Sequence, residues 1–148
     1  MKRFIIWGES DAGKTTTCIR MYNVLKSMGA TVLYYEIVPE YDFKAVLMLN
    51  NTKICIYSAG DAKGHLIEAI QFGANYVCDI LIGVISYYKH HNEALGEFRE
   101  GEDFEWRTLT KFEDIVEKDF AENKLVMNLL NEIWGICLIV NRENHILE

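Results

Sequence analysis

Little in this chain bends it or staples it. There is one proline, Pro39, in 148 residues, and the four cysteines (Cys18, Cys55, Cys78, Cys137) are far apart with no C-x-x-C pair. That spacing excludes a zinc ribbon, a thioredoxin-like redox motif and a disulfide scaffold. Each cysteine sits in an apolar stretch, which reads as buried free thiols in a reducing compartment. Basic charge is also scarce: 15 basic residues stand against 22 acidic ones, for a net charge of −7. A general nucleic-acid or anionic-membrane binder carries the opposite bias, so neither partner is expected. The opening MKRFIIWGES is too short an apolar run for a signal peptide, and no stretch approaches transmembrane length. The expectation is a cytoplasmic protein. Repeats and low-complexity tracts are missing too. What remains is 50% hydrophobic and 12% aromatic, enough for one core, and residues 1–148 read as a single domain.

The informative stretch is GESDAGKT at 8–15, which follows the apolar run RFIIW at 3–7. Its pattern, G-x-x-x-x-G-K-T, is a mechanical device. A strand delivers the chain into a loop whose N–H groups point inward, and a helix starts at the lysine, so loop and helix N-terminus together cradle phosphate oxygens. In such a loop Lys14 reaches the β/γ-phosphates and the Thr15 hydroxyl joins a Mg²⁺ shell. Gly13 lets the backbone come close where a Cβ would obstruct. The context agrees: apolar residues at Cys18, Met21, Tyr22, Leu25 and Met28 form a helical stripe, and Gly29 is a stop. Through Gly8, Gly13, Lys14 and Thr15 the chain resembles the P-loop NTPase superfamily, over residues 3–28. The resemblance implies nucleoside-triphosphate and Mg²⁺ binding, with Gly8, Glu9, Ser10, Asp11, Ala12, Gly13, Lys14, Thr15 and Thr16 forming the phosphate site. Glu9 and Asp11 do not oppose this, because the loop turns main-chain N–H groups inward and leaves these carboxylates to solvent. Asp11 also tolerates left-handed backbone.

Beyond the loop, TVLYYEIV (31–38) reads as a second strand. AVLML (45–49) and KICIYS (53–58), parted by Asn50-Asn51-Thr52, read as a β-hairpin. Residues 65–74 have a short helical pattern, 78–86 form the most apolar strand, and 104–110 alternate as a strand. Residues 111–134 are helical, and 135–140 are ambiguous between helix end and strand. Strands alternating with helices around a phosphate loop predict a three-layer α/β P-loop NTPase fold, mostly parallel, with one antiparallel hairpin strand. Ligands then sit at the carboxyl ends of the strands.

Other candidates follow from that rule. Asp61, in Asp61-Ala62-Lys63-Gly64 after the 53–58 strand, fits the D-x-x-G of small GTPases, as a Mg²⁺-water or nucleophile-positioning residue. Lys63 and His65 lie beside it. Residues 88–103 resemble the lid of small P-loop kinases, whose cations neutralise the transferring phosphoryl group. Lys89, Arg99 and Arg107 are candidates, with His90 and His91 for proton transfer. Glu36 is a candidate base, and Asp79 a structural acid. Guanine readers carry N-K-x-D, whereas the only Asn-Lys pair here is Asn123-Lys124 inside a predicted helix, which favours adenine. The expected function is phosphoryl transfer from ATP·Mg²⁺ by Lys14, Asp61, Arg99 and Arg107, with Thr15 and Asp61 at the metal. The acceptor is water, a small molecule or an unidentified protein partner. The alternatives are a regulatory module in which nucleotide gates a partner surface with slow turnover, and a GTPase-like switch.

Overall fold

The computed structural model describes residues 1–9, 11–60, 64–86 and 104–147. Six strands form one sheet, in chain order β1 (Lys2–Gly8), β2 (Thr31–Val38), β3 (Asp42–Leu49), β4 (Thr52–Tyr57), β5 (Ile80–Ser86) and β6 (Phe104–Thr108). Among the described residues three helices accompany them: α1 (Lys14–Ser27), α2 (His65–Asn75) and α3 (Ile115–Leu147). The spatial order is β2-β3-β4-β5-β1-β6. The described residues make a small α/β domain with helices on both faces: α1 and α3 share a core with one face, and α2 packs on the other.

The sheet is mixed, which overturns the expected mostly parallel sheet with a single hairpin strand. Strands β4, β5, β1 and β6 pair in parallel, but β2–β3 and β3–β4 are both antiparallel, so half of the strands form a meander. The reason lies in the connection lengths. Only Pro39-Glu40-Tyr41 separates β2 from β3, and a parallel crossover needs about a dozen residues. β3 also begins at Asp42, earlier than its apolar run suggests. Between β3 and β4, Asn50 and Asn51 take φ of 47° and 64°, both positive as a two-residue hairpin turn of this hand requires.

Burial explains the order. β5, ILIGVIS, is buried at every position and sits between β4 and β1. Its continuous apolar run suits a strand covered on both faces. Each fully buried Ile or Leu there contributes roughly 1.5–3 kcal/mol, enough to fix the strand centrally. β2 alternates between exposed and half-buried residues as an edge strand. α1 is held by Thr17, Cys18, Met21 and Leu25, all buried on one face. It ends where Gly29 turns at φ +98° and the Ala30 N–H reaches the Leu25 carbonyl at 3.0 Å.

Residues 135–140 continue the last helix. Asp114 starts α3, its carboxylate accepting the Val116 and Glu117 N–H groups at 2.8 and 3.1 Å. That continuation corrects a second expectation. Ile115–Glu143 is long and apolar enough to cross a membrane by length and composition, and 28% of its most apolar window is buried. Leu125, Val126, Leu129, Ile133 and Cys137 are the residues it sinks into the core.

Candidate phosphate site

β1 ends at Gly8, and α1 begins at Lys14 after a loop tightened by the Ala12 N–H on the Glu9 carbonyl. Gly13 takes φ +102°, a backbone that L side chains rarely adopt, and a Cβ there would run into the Glu122 carboxylate. Both constraints select glycine. No side chain caps the N-terminus of α1, and no acid lies in its first turn, so the positive end of its dipole opens into the loop. Lys14 is 6% exposed. Its Nζ donates to the carbonyls of Gly8, at 3.0 Å, and Glu9. A buried ammonium is thereby held at the loop mouth by two main-chain carbonyls.

In front of the loop lies a cavity of about 210 Å³. Asp11, Gly13, Lys14, Thr15 and Thr16 form one wall; Ser58, Gly60 and Val84 form another; Lys118 reaches in from α3. The second wall comes close because Gly60 has no side chain. Its carbonyl accepts the Ser86 N–H at 3.0 Å, and a Cβ on it would collide with the Val84 carbonyl. The β4 strand does not neighbour β1, since β5 lies between them, yet the segment leaving β4 still folds over to this cavity.

Thr15 has an unexpected partner. Its hydroxyl donates to Asp42 Oδ1 at 3.1 Å, and Ser58 Oγ donates to the same oxygen at 2.9 Å. Ser58 Oγ in turn accepts the Phe43 N–H at 2.9 Å. Asp42 opens a strand antiparallel to both of its neighbours, and the N-terminal end of such a strand lies beside their carboxyl ends. Sequence reasoning missed Asp42 because it searched only strand C-termini. Thr15 and Asp42 together offer the hard oxygen donors that Mg²⁺ takes. Among the described residues no three His, Cys, Asp or Glu side chains cluster into a cage. Mg²⁺ at a phosphate site uses one or two carboxylates, with phosphate oxygens and water supplying the rest.

The sequence also gave no sign of the α3 contribution. Glu122 lies behind Gly13 with its side chain 3% exposed, paired with Arg20 at 3.2 Å. Burial holds its carboxyl above the ordinary glutamate range, while Arg20 and Lys118 pull it down. Arg20 also binds Asp119 and Asn123, which ties α1 to α3 beside the loop. Lys118 and Glu122 are four apart and share one helical face, but only the packing of α3 against α1 brings that face to the loop.

The remaining predicted residues distribute as follows. Ala12 is buried, Thr16 is exposed along the cavity, and Glu9 serves the loop through its carbonyl. Asp11 is exposed with φ 63°, in left-handed geometry, at the cavity rim. Ser10, Asp61 and Arg99 lie outside the described residues, as do Lys63, Lys89, His90 and His91. Arg107 is not at the cavity. It donates to Asn128 at 2.8 Å, pairs with Glu105 and Glu132, and lies over the Phe4 ring, so it joins β6 to α3. Glu36 is on the edge strand β2, where Tyr34 and Lys44 bind its carboxylate. Their hydrogen bonds, Tyr34 first, hold its pKa below the ordinary range, which suits a poor base. Asp79 accepts the Lys53 N–H at 2.8 Å, a structural contact.

A second cleft, about 460 Å³, adjoins the other side of the loop. Gly8 and Glu9 line it with the chain leaving β6, including Thr108, Thr110, Lys111 and Glu113. Comparison with known proteins returns nothing: no family model, curated protein or solved structure matches this chain. The functional reading therefore rests on the site alone.

Proposed function

We propose that the chain is a P-loop protein that binds a nucleoside triphosphate with Mg²⁺ and transfers its γ-phosphoryl group to water or to an acceptor. The observation that carries this is the convergence of three features on one cavity: an uncapped helix N-terminus behind Gly13, the buried Lys14 ammonium, and the Thr15–Asp42 pair. The triphosphate occupies the smaller cavity, and the nucleoside extends into the cleft beside Gly8. Lys14 leaves the loop carbonyls to bind phosphate oxygens. Thr15 and Asp42 hold Mg²⁺, whose charge screens the phosphates during transfer. Lys118 supplies a second cation from α3, the role expected of Arg99 and Arg107. In the transfer the attacking oxygen bonds to the γ-phosphorus as the bond to the β,γ-bridging oxygen breaks. The diphosphate departs with that electron pair, and the attacking hydroxyl releases its proton to solvent. Catalysis of this kind is mostly positioning and charge stabilisation. The test is a titration of Mg²⁺·ATP and Mg²⁺·GTP against the wild type and Asp42→Ala, read by calorimetry and phosphate release. Loss of Mg²⁺-dependent binding in the variant supports the reading; equal binding in both removes Asp42 from it.

A second reading of base choice is favoured by the cleft. Lys111 and Glu113, two residues apart, present a cation and a carboxylate there. A carboxylate accepts the paired N–H donors of a guanine edge, which adenine lacks, so GTP fits this cleft as the sequence alone did not suggest. Competition between ATP and GTP in wild type and Glu113→Gln decides it: GTP preference that the variant loses selects guanine.

A further inference from the structure

The outer face of α3 carries an apolar stripe: Val116, Phe120, Met127, Trp134 and Leu138, each between 45% and 73% exposed. At 100° per residue these five fall within an arc of about 40°, over a length of about 33 Å. A solvated helix face has no need of such a line.

The stripe reads the same in both directions about its centre. Val116 and Leu138 lie 11 residues either side of Met127, Phe120 and Trp134 lie 7 either side, and the exposed Asn123 and Asn131 lie 4 either side. A surface that repeats under reversal is what a two-fold, isologous contact requires, because residue i must meet j while j meets i. We infer that α3 pairs with α3 of a second copy of this chain, antiparallel, on a two-fold axis at Met127. Met127 then meets itself, Phe120 meets Trp134, Val116 meets Leu138, and the Asn123 amide meets the Asn131 carbonyl. The Asn123 carbonyl is already taken by Arg20 at 2.6 Å, so its amide N–H is the group left to donate.

A bilayer is a poorer occupant. Helices that lie in a membrane surface carry mostly Lys and Arg along the polar flank, whereas the flank here is mixed, Glu117 and Asp119 standing with Lys124 and Arg142, and the chain's net charge is −7. The two asparagines also interrupt the stripe. The five side chains of each copy bury roughly 1,000 Å² in total, near the lower bound for a specific interface, where weak and transient pairs fall, so the affinity expected is weak, in the micromolar range. The inference is independent of the nucleotide reading.

The test is sedimentation equilibrium of the full chain from about 1 to about 500 µM, a range chosen to bracket that affinity. A concentration-dependent dimer is expected, weakened at least tenfold by Met127→Glu, which sets two carboxylates face to face on the axis. All four native cysteines are buried, so an added thiol is the accessible one. Met127→Cys, verified as folded by circular dichroism, should crosslink to itself with a short bis-maleimide. Phe120→Cys should not, unless mixed with Trp134→Cys. A monomer throughout the range overturns the proposal. So do Phe120→Cys self-crosslinks, which mean parallel packing, and vesicle binding that Met127→Glu abolishes.

Discussion

The two halves of the sheet contribute to the proposed phosphate site in different ways. The parallel half, β1, β5 and β6, ends its strands together and delivers the loop directly, one strand running into Gly8 and one helix leaving at Lys14. The meander, β2–β3–β4, contributes by running backwards: β3 starts where its neighbours finish, and so Asp42 comes within 3.1 Å of the Thr15 hydroxyl. One half supplies an anion cradle whose residues are contiguous. The other supplies a carboxylate from 27 residues away, with α3 adding Lys118 and Glu122 from farther still. In the proposed site, affinity for phosphate belongs to the parallel half, and dependence on Mg²⁺ to the meander.

Mutations should separate these contributions. Lys14→Ala is expected to have the largest effect, lowering nucleotide affinity ~100-fold or more, about 2.7 kcal/mol, with the unliganded protein still cooperatively folded. Asp42→Ala should weaken binding about 10- to 100-fold in Mg²⁺ and change little in EDTA. A loss of equal size in both conditions would move Asp42 from the metal to the fold, and isothermal titration distinguishes the two. Lys118→Ala should cost about tenfold for a triphosphate and little for a monophosphate, the outcome expected of a cation that meets the terminal phosphates. Equal losses for both nucleotides would show a general surface charge.

The smallest effect concerns Glu122 and pH. A carboxyl whose folded pKa is raised keeps its proton longer in the folded state than in the unfolded chain. The folded state therefore loses stability as pH rises from the ordinary glutamate value through the raised one. Glu122→Gln should remove that slope. Its melting temperature should gain on the wild type as pH rises above the ordinary glutamate value, and parallel profiles would contradict the burial argument.

How much of this was legible in the sequence depends on range. The loop, its preceding strand and its helix are contiguous, so GESDAGKT and the spacing of Cys18, Met21 and Leu25 specified them. The Asn50-Asn51 turn was legible for the same reason, since a two-residue turn fixes its own hairpin. Asp42 was not, because its place depends on β3 running antiparallel on both sides, and the signal was only the shortness of Pro39-Glu40-Tyr41. The central, buried place of β5 was legible in the apolar run at 78–86, but which strands flank it was not. Lys118 and Glu122 were not legible, because only the packing of α3 on α1 brings them to the loop. Arg107 was placed on the correct strand, but its partners Asn128 and Glu132 are set by that same packing.

The central claim is that the loop holds a Mg²⁺-nucleotide, and ligand-dependent thermal unfolding tests it most directly. At about 100 times the dissociation constant the nucleotide should add ~2.7 kcal/mol of stability. For a chain of this size that raises the melting temperature by about 5–10 °C. The account predicts this rise for ATP or GTP with Mg²⁺, and its disappearance in Lys14→Ala. An unchanged melting temperature with every Mg²⁺-nucleotide, or a rise that Lys14→Ala leaves intact, would contradict it.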